Sequence, residues 1–128
     1  MTKNPQPIRP PGALSSKQLS ILLEAVEQSS DSIVITNESG TYEYVNQGFT
    51  KLTGFLPQDI EGLTPTILKS GLTPDAIYKD LWCTITAGHR WRGEILNRKK
   101  DGTLYWCSLS ISPIKDQDGH ISHYLGIE

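Results

Sequence analysis

The chain has 128 residues, is 37% hydrophobic and carries a formal net charge of −2, which suffices for one compact core and is too short for two. Basic residues are scattered except for Arg98, Lys99 and Lys100 beside a turn, so the charged stripe that a nucleic-acid partner needs is missing. No apolar run approaches the length of a membrane span or the core of a secretion signal; the chain reads as cytoplasmic, with Cys83 and Cys107 as free thiols.

In chain order, residues 1–14 hold Pro5, Pro7, Pro10 and Pro11 before Gly12, a composition that predicts a flexible arm. Ser15 with Gln18 three residues on has the pattern of a capping box, opening an amphipathic helix over 15–29 with Leu19, Leu22, Leu23 and Val26 on one face. Ile33 to Thr36 and Thr41 to Val45 predict a hairpin turned at Asn37-Glu38-Ser39-Gly40. Asn46 caps a short helix that ends at Gly54, Pro57 to Ile60 adds one helical turn, and Gly62 to Gly71 reads as irregular. Thr73 as cap and Pro74 at the first helical position start a longer helix that runs to about Gly88, with Ile77, Leu81 and Ile85 as its stripe and Tyr78 and Trp82 beside it.

Three strands follow, near 91–99, 103–113 and 120–128. Strands and helices segregated in this order predict an α+β domain: a five-stranded, largely antiparallel sheet with short helices on one face. Tyr105, Cys107, Leu109 and Ile111 form the inner set of the second of these strands. Asn97 joins that side if the hairpin loop at Asp101-Gly102 has three residues. Alternation alone makes Ile121, His123, Leu125 and Ile127 the inner set of the last strand. The pattern is still running at Glu128, which predicts a fragment cut before an output domain.

The residues Tyr44-Val45-Asn46, Phe49, Leu52-Thr53-Gly54, Gly62, Ile67 to Gly71, Leu81-Trp82, Trp91 to Glu94, Asn97 to Gly102, Ile111 to Ile114 and Gly119 resemble the PAS sensor modules of bacterial histidine kinases, diguanylate cyclases and flavin-based redox sensors. The resemblance covers residues 30–128 and implies the PAS fold, a sensor role without turnover of its own, and dimerisation. It narrows the ligand less, because one fold hosts several cofactors. Haem-binding members use a histidine on the long helix, and Thr73 to Ala87 has none. Pro65 stands where light-sensing LOV domains carry their adduct cysteine, which excludes that photochemistry while leaving flavin binding open.

What the resemblance implies for the site is a flavin, FAD ahead of FMN, in a cavity formed by Asn97, Trp82, Thr64, Ile67, Leu68, Cys107, Leu109, Ile111, Tyr124 and Glu128. Asn97 matches the asparagine that satisfies the polar edge of the ring, since a carboxamide both donates and accepts. Trp82 matches a cavity-lining tryptophan of the redox-sensing group. Glu128 aligns with the LOV glutamine that responds to changes at flavin N5, an alignment that turns Tyr124, Gly126 and Glu128 inward against the alternation. Val34 and Pro65 are apolar where the redox-sensing group can be polar, and Lys69 is available to a phosphate. Other readings stand beside these: Asn97 as a cap on its own hairpin, Trp82 and Cys107 as core, Glu128 as a solvated charge. A homodimer through the N-terminal helix and the outer sheet face, where Trp106 lies among serines, fits either a cofactor-binding sensor or a ligand-free interaction module.

Overall fold

The computed structural model describes residues 14–128, so the proline-rich arm predicted over 1–14 lies almost wholly outside the described residues. Helix α1 (Ser16–Gln28) begins at the predicted capping box: the Gln18 amide donates to Ser15 Oγ at 3.1 Å and the Ser15 amide donates to Gln18 Oε1 at 2.8 Å. Strands β1 (Ile33–Asn37) and β2 (Tyr42–Val45) form the first hairpin. Helix α2 (Gln47–Thr53) is capped by Asn46 and stopped by Gly54 at φ +83°. Single 3₁₀ turns follow at Pro57–Asp59 and Pro65–Leu68, the second ordering part of a stretch expected to be irregular.

Helix α3 (Asp75–Thr86) begins later than Thr73 predicts. The Thr73 hydroxyl is engaged elsewhere, accepting from the Leu96 amide at 3.1 Å and donating to the Leu96 carbonyl at 3.2 Å. A side chain tied across to a strand cannot also cap its own helix. Strands β3 (Trp91–Arg98), β4 (Leu104–Lys115) and β5 (Ile121–Ile127) complete an antiparallel five-stranded sheet of order β2-β1-β5-β4-β3. The last strand therefore lies at the centre, between the first and the fourth.

The β3–β4 register pairs Asn97 with Tyr105, and the Lys99 amide donates to the Thr103 carbonyl. The loop is thus Lys100-Asp101-Gly102, the three residues that keep Asn97 on the inner side. On β5 the alternation reading is corrected: Tyr124 is the buried residue, and Gly126 and Glu128 share its side. Ile121, His123 and Leu125 keep partial exposure and Ile127 is exposed. The outward set is itself apolar while the inward side carries Gly126 and Glu128, which inverts the apolar–polar contrast that alternation depends on.

The core comes in two clusters. One gathers Val34, Tyr42, Val45, Phe49, Ile60 and Leu68; the other Leu81, Ile85, Trp91, Ile95 and Tyr124. The Trp91 indole lies along its own strand over Gly93, where a Cβ would come within 2.5 Å of the ring, and its N–H donates to Asp80 on α3 at 2.9 Å. Among the described residues no helix is long and apolar enough to cross a membrane.

Candidate functional site

Between the two core clusters, the inner sheet face and the helices enclose a cavity of about 380 Å³, within the range of small-molecule sites, roughly 300–1,000 Å³. The space persists because several residues at inward positions are small or polar: Thr36 on β1, Asn97 on β3 and Gly126 on β5 all line it. Of the residues expected at the site, Asn97, Trp82, Thr64, Leu68, Leu109, Ile111, Tyr124 and Glu128 line the cavity. Two do not, and their expected place is corrected. Ile67 packs against the Val34 cluster, because the 3₁₀ turn directs Leu68 inward in its place. Cys107 lies buried beneath the surface of the cavity, its thiol donating to Glu128 Oε1 at 3.1 Å.

Asn97 is held from the outside. Its strand is the sheet edge, and the segment from Lys69 to Thr73 covers that edge: Lys69 bridges to Asn97 through the backbone, Ser70 Oγ donates to the Leu96 carbonyl at 2.6 Å, and Arg98 donates to the Ser70 carbonyl at 3.1 Å. Covering an edge strand removes its unpaired backbone groups. Here it also fixes the direction of the Asn97 side chain, which is 6% exposed and aimed into the cavity. Among the described residues, the hairpin backbone makes no hydrogen bond to that carboxamide. The Tyr105 hydroxyl is buried beside it, and Asn97 slightly offsets the upward push that burial gives the Tyr105 phenol.

Trp82 stands at the other wall, 42% exposed. Its ring meets Tyr124 edge-on at 6.1 Å between centroids, and its tip lies against Gly40 in the β1–β2 turn. Lys69 is the cavity's cation, with Nζ 4.2 Å above the Tyr78 ring. None of His89, His120 and His123 lines the space.

Several polar atoms of the sheet and of α3 are enclosed around the cavity. The hydroxyls of Tyr42, Tyr78 and Tyr105 and Glu128 Oε2 are buried without a hydrogen bond. Such atoms are costly unless something satisfies them. Burial, then the nearby Glu128, pushes the Tyr42 phenol well above its usual range; the same two causes act on Tyr105 and Cys107. Glu128 is itself raised, chiefly by burial. The Asn97 carboxamide offers both a donor and an acceptor to the polar edge of a flat molecule in the cavity. Sequence reasoning missed Tyr42, Thr36 and Gly40. The available signal was the pairing of Thr36 with Tyr42 across the first hairpin, two polar groups at inward parity.

The sequence pattern of the family described as PAS domain matches residues 30–128. Over all 128 residues the chain is 31% identical to a nitrogen fixation regulatory protein of Klebsiella oxytoca, and it spans 26% of that protein. It is 33% identical to Phototropin-1A of Oryza sativa subsp. japonica, covering 98% of this chain and 14% of that one. The chain thus spans about a quarter or less of the length of these relatives. Among solved structures, an RNA-binding light-oxygen-voltage receptor superposes with a TM-score of 0.85 at 22% identity, over 95% of this chain and 35% of that chain. The light-state Aureochrome1 LOV structure superposes at 0.71 with 27% identity, over 85% and 84%. The sheet order, the cavity behind the edge-strand asparagine and the match over residues 30–128 agree, and the chain belongs to the PAS domain family.

Proposed function

We propose that residues 30–128 form a cytoplasmic sensor module that binds a flavin, FAD by preference, and relays redox state to an output domain elsewhere in the protein. The observation that carries this reading is the cavity whose edge-strand wall holds a buried carboxamide, Asn97, free of backbone bonds. Asn97 would meet the polar edge of the ring, Trp82 and Tyr124 its faces, and Lys69 a phosphate of the tail. When bound, the flavin supplies a ring nitrogen that accepts a hydrogen bond when oxidised and donates one when reduced. Glu128 is the group whose hydrogen bonds must rearrange in response. Its backbone amide donates to the Ser32 carbonyl at 3.0 Å, and the Ser32 amide donates back at 3.3 Å. A change at Glu128 therefore acts directly on the segment joining α1 to the sheet.

The test is the absorption spectrum of the purified chain, with the released chromophore identified by chromatography. A yellow protein that bleaches on reduction and recovers in air supports the reading. A colourless protein that takes up neither FAD nor FMN sinks it.

A second reading, a ligand-free dimerisation module, is favoured by α1. Its Leu19, Leu22 and Leu23 are exposed, as are Ile21 and, on the outer sheet face, Trp106. The leucine face thus finds no partner within the described residues.

A further inference from the structure

Asn97 and Tyr105 stand directly opposite each other on β3 and β4, both on the inner side of the sheet. Asn97 lines the cavity and Tyr105 does not, so the tyrosine supports the carboxamide from outside that space. The phenol has a fixed setting. Lys99 Nζ lies 5.8 Å from the centre of its ring, and its hydroxyl is enclosed without a hydrogen bond of normal length. The polar side chains around that hydroxyl are Glu128, Cys107 and Asn97.

A carboxamide has an acceptor at one end and donors at the other, and hydrogen-bonding neighbours decide which end faces which way. For Asn97 the decision falls to Tyr105, because no backbone group binds the carboxamide among the described residues. The Cys107 thiol is engaged, donating to Glu128 Oε1 at 3.1 Å, and the Glu128 carboxyl also faces the Ser32 hydroxyl. Asn97 is thus the group with an N–H left for the phenol oxygen. The phenol hydrogen has a carboxyl nearby, a better acceptor than an amide. Asn97 also opposes the upward push that burial gives the phenol, as an N–H donor does.

We propose that Tyr105 is a positioning residue: its hydroxyl oxygen takes one N–H of the Asn97 carboxamide and so turns Oδ1 into the cavity. A small rotation of the carboxamide closes the contact. The edge-strand wall then presents an acceptor, and the cavity selects planar ligands whose edge carries an N–H. The imide N–H of a flavin is such a group. That last step rests on the flavin reading, whereas the orientation of Asn97 does not.

The experiment uses the full chain, wild type and Y105F, which keeps the ring and loses only the hydroxyl. In the ligand-free proteins, NMR of the Asn97 side-chain amide, assigned with Asn97→Ala, should show one N–H protected from exchange with water in wild type. In Y105F that protection should be lost while the backbone amide of Asn97 keeps its own. Equal exchange of the side-chain amide in both proteins overturns the proposal whether or not flavin binds. Riboflavin and its 3-methyl derivative, which lacks the imide hydrogen, are then titrated into each. The preference for riboflavin should be about five- to tenfold greater in wild type than in Y105F, the contribution of one hydrogen bond. Steric effects of the methyl group are common to both proteins and cancel in that ratio. One and the same preference in both overturns the proposal and leaves the flavin reading standing. Riboflavin that binds to neither protein overturns the flavin reading, and the exchange data alone then decide the orientation of Asn97.

Discussion

The Cys107 thiol donates to Glu128 Oε1 at 3.1 Å, a contact between β4 and the residue just past β5, beneath the cavity surface. The Cys107 thiol and the nearby Ser32 hydroxyl favour the charged carboxyl, but burial outweighs both and the carboxyl pKa lies above its ordinary value of 4.5. Between that value and the raised folded value, the folded state holds a proton that the unfolded state has lost. Stability attributable to Glu128 therefore falls as pH rises through this window, with a slope of at most about 1.4 kcal/mol per pH unit. Glu128→Gln removes the proton linkage. Urea unfolding at pH 5 and pH 7 should show the variant gaining on wild type at the higher pH; a constant difference would contradict the linkage.

Asn97→Ala separates ligand binding from folding. The carboxamide makes no hydrogen bond with the hairpin backbone, so its removal should change unfolding free energy by less than about 1 kcal/mol. Two hydrogen bonds to a flavin edge, at about 1 kcal/mol each, amount to a loss of roughly 30-fold in affinity. Flavin content after purification and the dissociation constant for added FAD give the check. Unchanged affinity would remove Asn97 from the site.

Much of this arrangement was legible in the residues. Ser15 with Gln18, Asn46 before α2 and the turn at Asp101-Gly102 are local devices whose chemistry acts over a few residues, and each stands where expected, the last within a three-residue loop that meets the condition for an inward Asn97. Failures came where distant segments decide. Thr73 looked like a helix cap and is bound to β3, twenty-three residues away. Alternation alone turns Tyr124 and Glu128 outward, because the opposite set Ile121, Leu125 and Ile127 is the more apolar, whereas the family alignment turns them inward, where they are found. Ile67 and Cys107 have the right parity or motif position, yet cavity lining depends on how a 3₁₀ turn and a neighbouring carboxyl direct side chains.

Asn46 joins α1 to the PAS body. It is 1% exposed, with Oδ1 accepting from the Ile33 and Phe49 amides at 2.8 and 3.0 Å and Nδ2 donating to the Val26 and Asp31 carbonyls at 2.8 and 2.9 Å. Asn46→Ala strands these buried backbone groups and removes the α2 cap, at a cost of about 2–4 kcal/mol. Gly48→Ala should act on the same junction, since its Cβ would lie 2.2 Å from the Asp31 carbonyl oxygen. Denaturant midpoints measure both effects, and limited proteolysis should cut between α1 and β1 faster in each variant. Resistance equal to that of wild type would mean the junction does not depend on these contacts.

The exposed face of α1 carries the last prediction. Leu22 is 50% and Leu23 67% exposed, while α1 is attached to the body through Asn46 and through the Tyr44 hydroxyl, which donates to Glu27. Attachment by polar groups leaves the leucines available to a second copy of the chain, and apolar side chains buried in this way contribute about 1.5–3 kcal/mol each. Glu at both positions should therefore convert a dimer to a monomer in light scattering while leaving the unfolding transition of the PAS body close to wild type, because neither leucine belongs to its core. If wild type is a monomer at every concentration tested, or if the double variant remains dimeric, the helix is not the interface. The outer sheet face around Trp106 would then be the surface to vary.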